Sequence, residues 1–290
     1  MYSAISANKR NTVFIMAVFV GIIGVIGWVV SYYYGNRSIF LMTLIVAAVY
    51  ALIQYFIASK LAITMTGAQQ IEKADNPELW RIVENLAISE GMPMPKVYVI
   101  QDGAPNAFAT GRDPKHAHVG VTTGLLEIMD KRELTAVMAH EISHVRNYDI
   151  RVSMIAFGLV SAIGLLADLA LRMFFFGGDN RNANPIVLVV GIVIIIITPI
   201  VASIVQMAVS RQREYLADAS GALTTRDSEG LAMALEKLDT YGRPMRTQHS
   251  STANLFLSNP LESNFVSKLF SSHPPLEKRI ERLRGTADKF

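Results

Sequence analysis

The sequence contains no cysteine. No disulfide framework can hold this chain, and any metal it binds must be held by His, Asp or Glu. Charge is scarce as well: 18% of the 290 residues are charged, against a usual share near ~25%. Neither sign dominates, since 27 Lys and Arg against 24 Asp and Glu leave a formal net charge of +3. That is weak support for a nucleic-acid partner, and basic loops beside a membrane explain it better. What the chain has in excess is apolar, with 51% of its residues hydrophobic. An intrinsically disordered chain is excluded, and an ordinary soluble enzyme of this length is disfavoured.

Four stretches carry the excess. No charge occurs from Asn11 to Asn36 or from Ser38 to Ser59, runs of 26 and 22 residues. About 20 helical residues cross a ~30 Å hydrocarbon core, so both can span. A signal peptide is the rival for the first, but its apolar run would be shorter and followed by small residues. Trp28 and Tyr32-Tyr33-Tyr34 suit an interfacial belt instead. The third run, Val152 to Ala167, continues through Asp168 to Arg172, an i,i+4 pair that could sit at the interface. The fourth, Ala183 to Ser210, contains Pro199, which predicts a kink. With the N-terminus inside, Lys9, Arg10, Lys60, Arg146, Arg151, Arg211 and Arg213 face inward and Arg37, Arg172 and Arg181 outward. The bias predicts cytoplasmic termini. The expected organisation is two transmembrane helices in 11–59, a polar segment 60–150, a transmembrane hairpin 151–210 and a second polar segment 211–290, with both polar segments on one side.

Within the polar segments, Asn76-Pro77-Glu78 predicts a helix start, with Leu79, Ile82, Val83, Leu86 and Ala87 as its buried stripe and Gly91 as its end. Lys96 to Ile100 reads as a strand; Asn106 to Gly111 and His118 to Thr122 read as a hairpin. Helices are expected from about Lys131 to Tyr148, Arg211 to Ala222, Ser228 to Thr240 and Pro274 to Leu283. Residues 242–271 are polar and irregular, a candidate gate on composition.

The strongest chemical signal is His140-Glu141-Ile142-Ser143-His144. Residues four apart leave one helix face, so both imidazoles can share a metal. Glu141 then stands beside the metal, where it can take a proton from water. A helix with two surface histidines is the bland alternative, and Leu134, Val137, Met138 and Ile142 argue against it by giving the same helix a buried face. A third ligand must be His, Asp or Glu. Glu214 and Asp218 share a helix face; one can bind metal while the other accepts a hydrogen bond from a ligand imidazole, or both belong to a surface charge patch.

Together with Arg213-Glu214-Tyr215-Leu216-Ala217-Asp218, Asn106-Ala107-Phe108-Ala109 and Ser272-His273-Pro274-Pro275, this motif resembles the HtpX family of integral-membrane zinc metalloproteases, relatives of the CAAX prenyl endopeptidases. The resemblance covers nearly the whole chain. It implies a multi-span α-helical membrane protein with an α+β gluzincin-like protease domain. It implies one Zn2+ on His140, His144 and Glu214, Glu141 as general base, and Asp218 behind the ligands. It implies a bacterial inner or plasma membrane location with the active site cytoplasmic, and protein substrates, chiefly misfolded or damaged membrane proteins cut under stress. No nucleic-acid partner is expected. Asn106, Ala107 and Phe108 would lie on an edge strand that receives substrate, Asn106 bonding a substrate carbonyl. His273 is the candidate oxyanion donor, with Arg279 the weaker one. His116 and His118 are read as structural. The alternatives are a latent or non-catalytic zinc-binding scaffold, a protease cutting within the bilayer and a transporter. Lys131, Arg132, Glu133 and Arg146 on the metal helix disfavour the second, and the absence of paired ionisable groups at mid-membrane depth disfavours the third.

Overall fold

In a computed structural model of the chain, residues 2–159, 162, 211–247, 252, 255–260 and 274–285 are described below. The expected third and fourth spans lie outside these residues apart from 152–159 and 162, and so does His273. Two compact units divide the chain: Met1–Asn8 with Ser59–Met154 and Val209–Phe290, and Lys9–Ala58 with Ile155–Ala208.

The second unit is built on two long helices, α1 (Tyr2–Tyr34) and α2 (Arg37–Thr66). Each is long and apolar enough to cross a membrane. The turn between them is a glycine C-cap. Gly35 has φ 63, its N–H donates to Tyr32 O at 3.3 Å, and the N–H of Asn36 reaches back to Ser31 O at 3.1 Å. Only glycine takes that left-handed conformation without cost. The helices come close at Gly24 and Gly27, where an added Cβ would meet Leu44 at 2.8 Å and Thr43 at 2.6 Å. Small residues at a crossing are how helices approach in lipid, where apolar side chains gain little from one another. Among the described residues, all the large exposed hydrophobic side chains except Ile88, Leu223 and Tyr241 lie on these two helices. Water would penalise that surface, and lipid solvates it.

The first unit joins a four-stranded sheet to a helical layer. The strands are β1 (Gln69–Gln70), β2 (Lys96–Ile100), β3 (Ala107–Gly111) and β4 (Ala117–Thr122), in the order β1-β2-β4-β3. β2 and β4 are parallel and β3 and β4 antiparallel, the expected hairpin, with Ala109 opposite Val119. A single 3-10 turn over Pro114–His116, capped by the Asp113 side chain, closes it. Gly120 makes room for the Phe108 ring, which would stand 2.4 Å from a Cβ there.

α3 (Pro77–Ser89) begins as its sequence predicts, with the Asn76 side chain accepting from Leu79 N and Pro77 in the first turn. It buries Leu79, Ile82, Val83, Leu86 and Ala87. A short helix, α4 (Thr123–Ile128), leads to α5 (Lys131–Arg146). Asp130 and Glu133 form a capping box that fixes where α5 starts. The end of α5 comes two residues sooner than the sequence pattern predicts. Asn147 caps it, Tyr148 adopts φ 62, and residues 149–159 resume as helix. α6 (Arg211–Thr225), α7 (Ser228–Tyr241) and α8 (Leu276–Arg284) complete the unit. Leu134, Val137, Met138, Ile142 and Val145 put α5 at the centre of the core, with Val97, Val119 and Val121 from the sheet and Leu231 and Leu235 from α7. A helix buried on nearly every side is a rigid place to mount reactive groups.

Candidate metal centre

His140, Glu141 and His144 leave α5 where α6 crosses it. Gly221 sets that crossing: a Cβ there would lie 3.0 Å from His140 N and 3.2 Å from Ala139 C. With hydrogen in that place, α6 can lie close against α5. Glu214 and Asp218, about two turns and one turn before Gly221, are thereby carried to the two histidines.

His140 Nε2 lies 3.1 Å from His144 Nε2. Glu214 completes a triangle, with Oε2 3.8 Å from His140 Nε2 and Oε1 3.5 Å from His144 Nε2. One donor atom from each residue falls within 4.8 Å of the others, and these three are the only such metal-holding group among the described residues. Zinc–nitrogen bonds of ~2.05 Å at a tetrahedral centre would place two donors about 3.3 Å apart. The spacing therefore fits a small dication.

The outer nitrogens show which way the rings point. His140 Nδ1 is 2.9 Å from Asp218 Oδ1, and His144 Nδ1 is 3.0 Å from Asp149 Oδ2. A carboxylate accepts a proton-bearing nitrogen, so each ring keeps its Nδ1–H and turns the Nε2 lone pair inward. Two lone pairs facing each other repel unless a cation, a proton or a metal, lies between them. This is the observation that the donor set fits a metal.

Asp218 is itself anchored. Arg279 of α8, fully buried, donates to it through Nε at 2.9 Å and Nη2 at 2.6 Å, and its Nη1 stands 3.6 Å from Glu214 Oε2. Burial alone would raise the Asp218 carboxyl. The charge of Arg279 and the hydrogen bonds from His140 and Arg279 outweigh it and hold the group down at about 2. Glu141 is only 2% exposed, and burial pushes its carboxyl up to about 7 against the opposing charge of His144. Burial lowers His140; for His144 burial is outweighed by the Asp149 hydrogen bond and the Glu214 charge, which raise it.

The other sequence candidates fall elsewhere. His116 is exposed and bonded to Asp113 and Arg112; His118 lies edge-on to Tyr98, away from the metal group. Asn106, Ala107 and Phe108 are all buried at the β3 end, and the chain itself covers that edge. Asn106 Nδ2 donates to Ser258 O at 2.8 Å, its Oδ1 accepts from Ser258 N at 3.0 Å, and Leu257 N donates to Ala107 O at 2.8 Å. Phe108 pairs with Phe256 in an antiparallel bridge. The amide expected to bond a substrate carbonyl thus reads the backbone of residue 258 in this conformation. Three contacts of this group have no counterpart in the sequence reading: Asp149 at His144, Asn8 at Asp149 and Arg279 at Asp218. Only the short distance from His144 to the next acid could have pointed to Asp149.

Fold and site together define a membrane metalloprotease. The chain belongs to peptidase family M48, whose sequence model matches residues 73–287. It is 53% identical to the protein named Protease HtpX homolog in Tropheryma whipplei (strain Twist), over 100% of both chains. The Protease HtpX homolog of Streptococcus gordonii is 40% identical over 98% of this chain and 99% of its own. Among solved structures, that of S. mikatae Ste24p matches 98% of this chain and 67% of its own, with a TM-score of 0.53 at 20% identity. That likeness is one of fold.

Proposed function

We propose that the chain is a zinc endopeptidase of the bacterial cytoplasmic membrane, multi-span and gluzincin-like, with its site and both termini on the cytoplasmic side. His140, His144 and Glu214 would hold the ion. The inward-facing Nε2 atoms, each fixed by a carboxylate on its outer nitrogen, carry this reading. When bound, zinc supplies Lewis acidity to water and to the scissile carbonyl. Glu141 takes the proton of the attacking water and passes it to the leaving amine. Its buried position keeps bulk water from competing for that proton. The four-span division at 11–59, 60–150, 151–210 and 211–290 completes the reading, with misfolded or damaged membrane proteins as substrates. The exposed apolar faces of α1 and α2 support a lipid setting.

Peptide binding follows from the sheet. β3 is an edge strand, and an extended peptide adds to such an edge through backbone hydrogen bonds. We infer that substrate takes the edge at Asn106, Ala107 and Phe108 in place of residues 255–258. The conformation described is accordingly a latent one, and the self-contacts at Asn106 and Ala107 favour latency over a purely structural metal.

The test is cleavage of casein by the detergent-solubilised full chain beside Glu141→Gln, with zinc measured on both. Cleavage that a chelator stops and Glu141→Gln abolishes, with zinc retained, is the expected result. Full zinc occupancy with no cleavage by the wild-type chain, even with residues 255–258 weakened by substitution, would leave the scaffold reading in its place.

A further inference from the structure

Behind His144 a line of contacts runs back to the beginning of the chain. Asp149 gives one carboxylate oxygen, Oδ2, to His144 Nδ1 at 3.0 Å. Its other oxygen, Oδ1, accepts from Asn8 Nδ2 at 2.7 Å. The same Asn8 nitrogen donates to the backbone oxygen of Asn147 at 2.9 Å. Asn8 belongs to α1, yet it lies in the compact unit that contains the metal centre. It is 4% exposed, whereas Ser6, Lys9 and Arg10 around it are exposed. Burying an amide costs free energy unless it is hydrogen-bonded, and here these two bonds fall on one short turn.

That turn is where α5 stops and the chain changes course. Tyr148 has a left-handed backbone, and Asp149 follows it at the start of the next helical stretch. An aspartate so placed has two rotatable side-chain bonds and a backbone that helix hydrogen bonds on the α5 side no longer restrain. Asn8 fixes both, through the carboxylate oxygen that His144 does not use and through the carbonyl two residues earlier. The donor is neutral, so it orients the carboxylate without adding charge beside the imidazole, and Arg213 Nε stands further off, 3.9 Å from the same oxygen.

Resting on the metalloprotease reading of His140, His144 and Glu214, we propose that Asn8 is a positioning residue of the metal centre: it holds Asp149 against His144, so that the centre's grip on its metal depends on the start of the first helix. Removing a partner of a metal-binding imidazole typically weakens metal affinity ~10–100-fold. Asn8 acts one bond further out, which puts its effect near the lower end of that range. Truncating or displacing the first turns of α1 should then weaken metal binding even though no ligand is touched.

The test uses the full chain in detergent, loaded with Co2+ or Zn2+. Affinity is measured by competition with a chromophoric chelator, and ligand geometry by the visible Co2+ spectrum. Five variants are compared with wild type: Asn8→Ala, Asn8→Ser, Ser6→Ala, Asp149→Ala and the Asn8→Ala/Asp149→Ala double variant, with His144→Ala as the reference for lost metal. Asn8→Ala is expected to weaken binding about tenfold and alter the Co2+ spectrum. Asn8→Ser, which keeps a donor, should lose less, and Ser6→Ala should stay within about twofold of wild type. In the Asp149→Ala background, the further effect of Asn8→Ala should vanish, because Asn8 reaches His144 only through the Asp149 carboxylate. Wild-type affinity and spectrum in Asn8→Ala would overturn the proposal. So would an undiminished loss when Asp149 is already alanine, since that is the signature of a general folding role. Should wild type bind no metal that His144→Ala removes, the metalloprotease reading falls first and takes this proposal with it.

Discussion

Arg279 is the largest fully buried side chain in the described part of the protein, and its substitution gives a sharp test of what it does. Its guanidinium holds Asp218 with two bonds of 2.6 and 2.9 Å, and Asp218 in turn holds His140 Nδ1 at 2.9 Å. Arg279→Leu keeps much of the volume and removes the charge. It leaves Asp218, 4% exposed, as a buried carboxylate with one partner fewer. Breaking a buried pair from one side costs about 3–5 kcal/mol, because the remaining charge stays desolvated. At roughly 2–4 °C per kcal/mol for a chain somewhat shorter than this one, the melting temperature should fall by about 6–20 °C. Arg279→Lys keeps the charge but not the fork and should fall in between. Replacing both residues, as Arg279→Leu with Asp218→Leu, should recover part of the stability while metal affinity stays low, since His140 has lost its acceptor. The pH dependence has a definite sign. Asp218 titrates near 2 in the fold against an ordinary 3.8, so its contribution is present above about 4 and is lost as pH falls from 4 toward 2. In Arg279→Leu that window should narrow. Melting by tryptophan fluorescence at one scan rate in detergent, with casein cleavage on the same samples, decides the matter. If Arg279→Leu melts within about 2 °C of wild type yet loses more than a thousandfold in cleavage, the anchoring argument is wrong and the arginine acts on the reacting atoms instead.

Further outcomes follow from the same geometry. Gly221→Val should force α6 off α5, since its Cβ would meet the His140 backbone at 3.0 Å; about 1–3 kcal/mol of overpacking and a loss of bound metal are expected, and unchanged metal content would show that the crossing adjusts freely. Asp227→Ala should cost about 1–2 kcal/mol in thermal unfolding, because the side chain caps α7 by accepting from Gly230 N; Asp227→Asn should keep most of the cap and lose only the exposed contact to Arg132. Phe256→Ser should lower the KM for an unfolded substrate about tenfold or more, given that 1.4 kcal/mol of weakened self-contact is worth that factor; a KM unchanged in a folded variant would mean that residues 255–258 do not compete with peptide for β3.

How far the sequence could be read depended on whether a feature is local. The α3 start is a local matter: Asn76, Pro77 and Glu78 cap the helix whatever surrounds it, and the side chain of Asn76 does what its type predicts. The two histidines of α5 converge because helical spacing alone puts them on one face, and Glu214 and Asp218 share a face for the same reason. The failures are all non-local. Arg279 stands 61 residues after Asp218, and nothing in its neighbourhood distinguishes it from Lys278 or Arg282, which lie on the same short helix. The α5 end comes earlier than its pattern predicts because Tyr148 takes a left-handed backbone that tyrosine seldom adopts. At Asn106 the sequence predicts an edge strand but says nothing of what lies on that edge in the folded chain. That residues 255–258 lie on it is a property of the folded chain, carried by Phe256 inserting beside Phe108, Tyr98 and Met245.

The charge of the site explains why its parts come in pairs. Glu141, Glu214, Asp218 and Asp149 bring four carboxylates into a space walled by core residues. Arg279 answers Asp218 and Glu214, and Arg213 Nε approaches Asp149 at 3.9 Å. Across these six groups, two negative charges remain, which is the charge of one divalent cation with opposite sign. Without the ion, the balance has to come from protons. The surroundings raise the affinity of His144 and Glu141 for a proton, the former through Asp149 and Glu214 and the latter through burial. Metal and protons thus compete for the same deficit, and binding the ion must release protons. His144 has to lose its proton before Nε2 can act as a ligand, so metal affinity should rise with pH through the region where His144 deprotonates. Asp218 is bonded from α8 and Asp149 from the first turns of α1, so on the proposed reading the site assembles that negative charge only when these elements have come together. The fold therefore makes the binding of the ion a consequence of being completely folded.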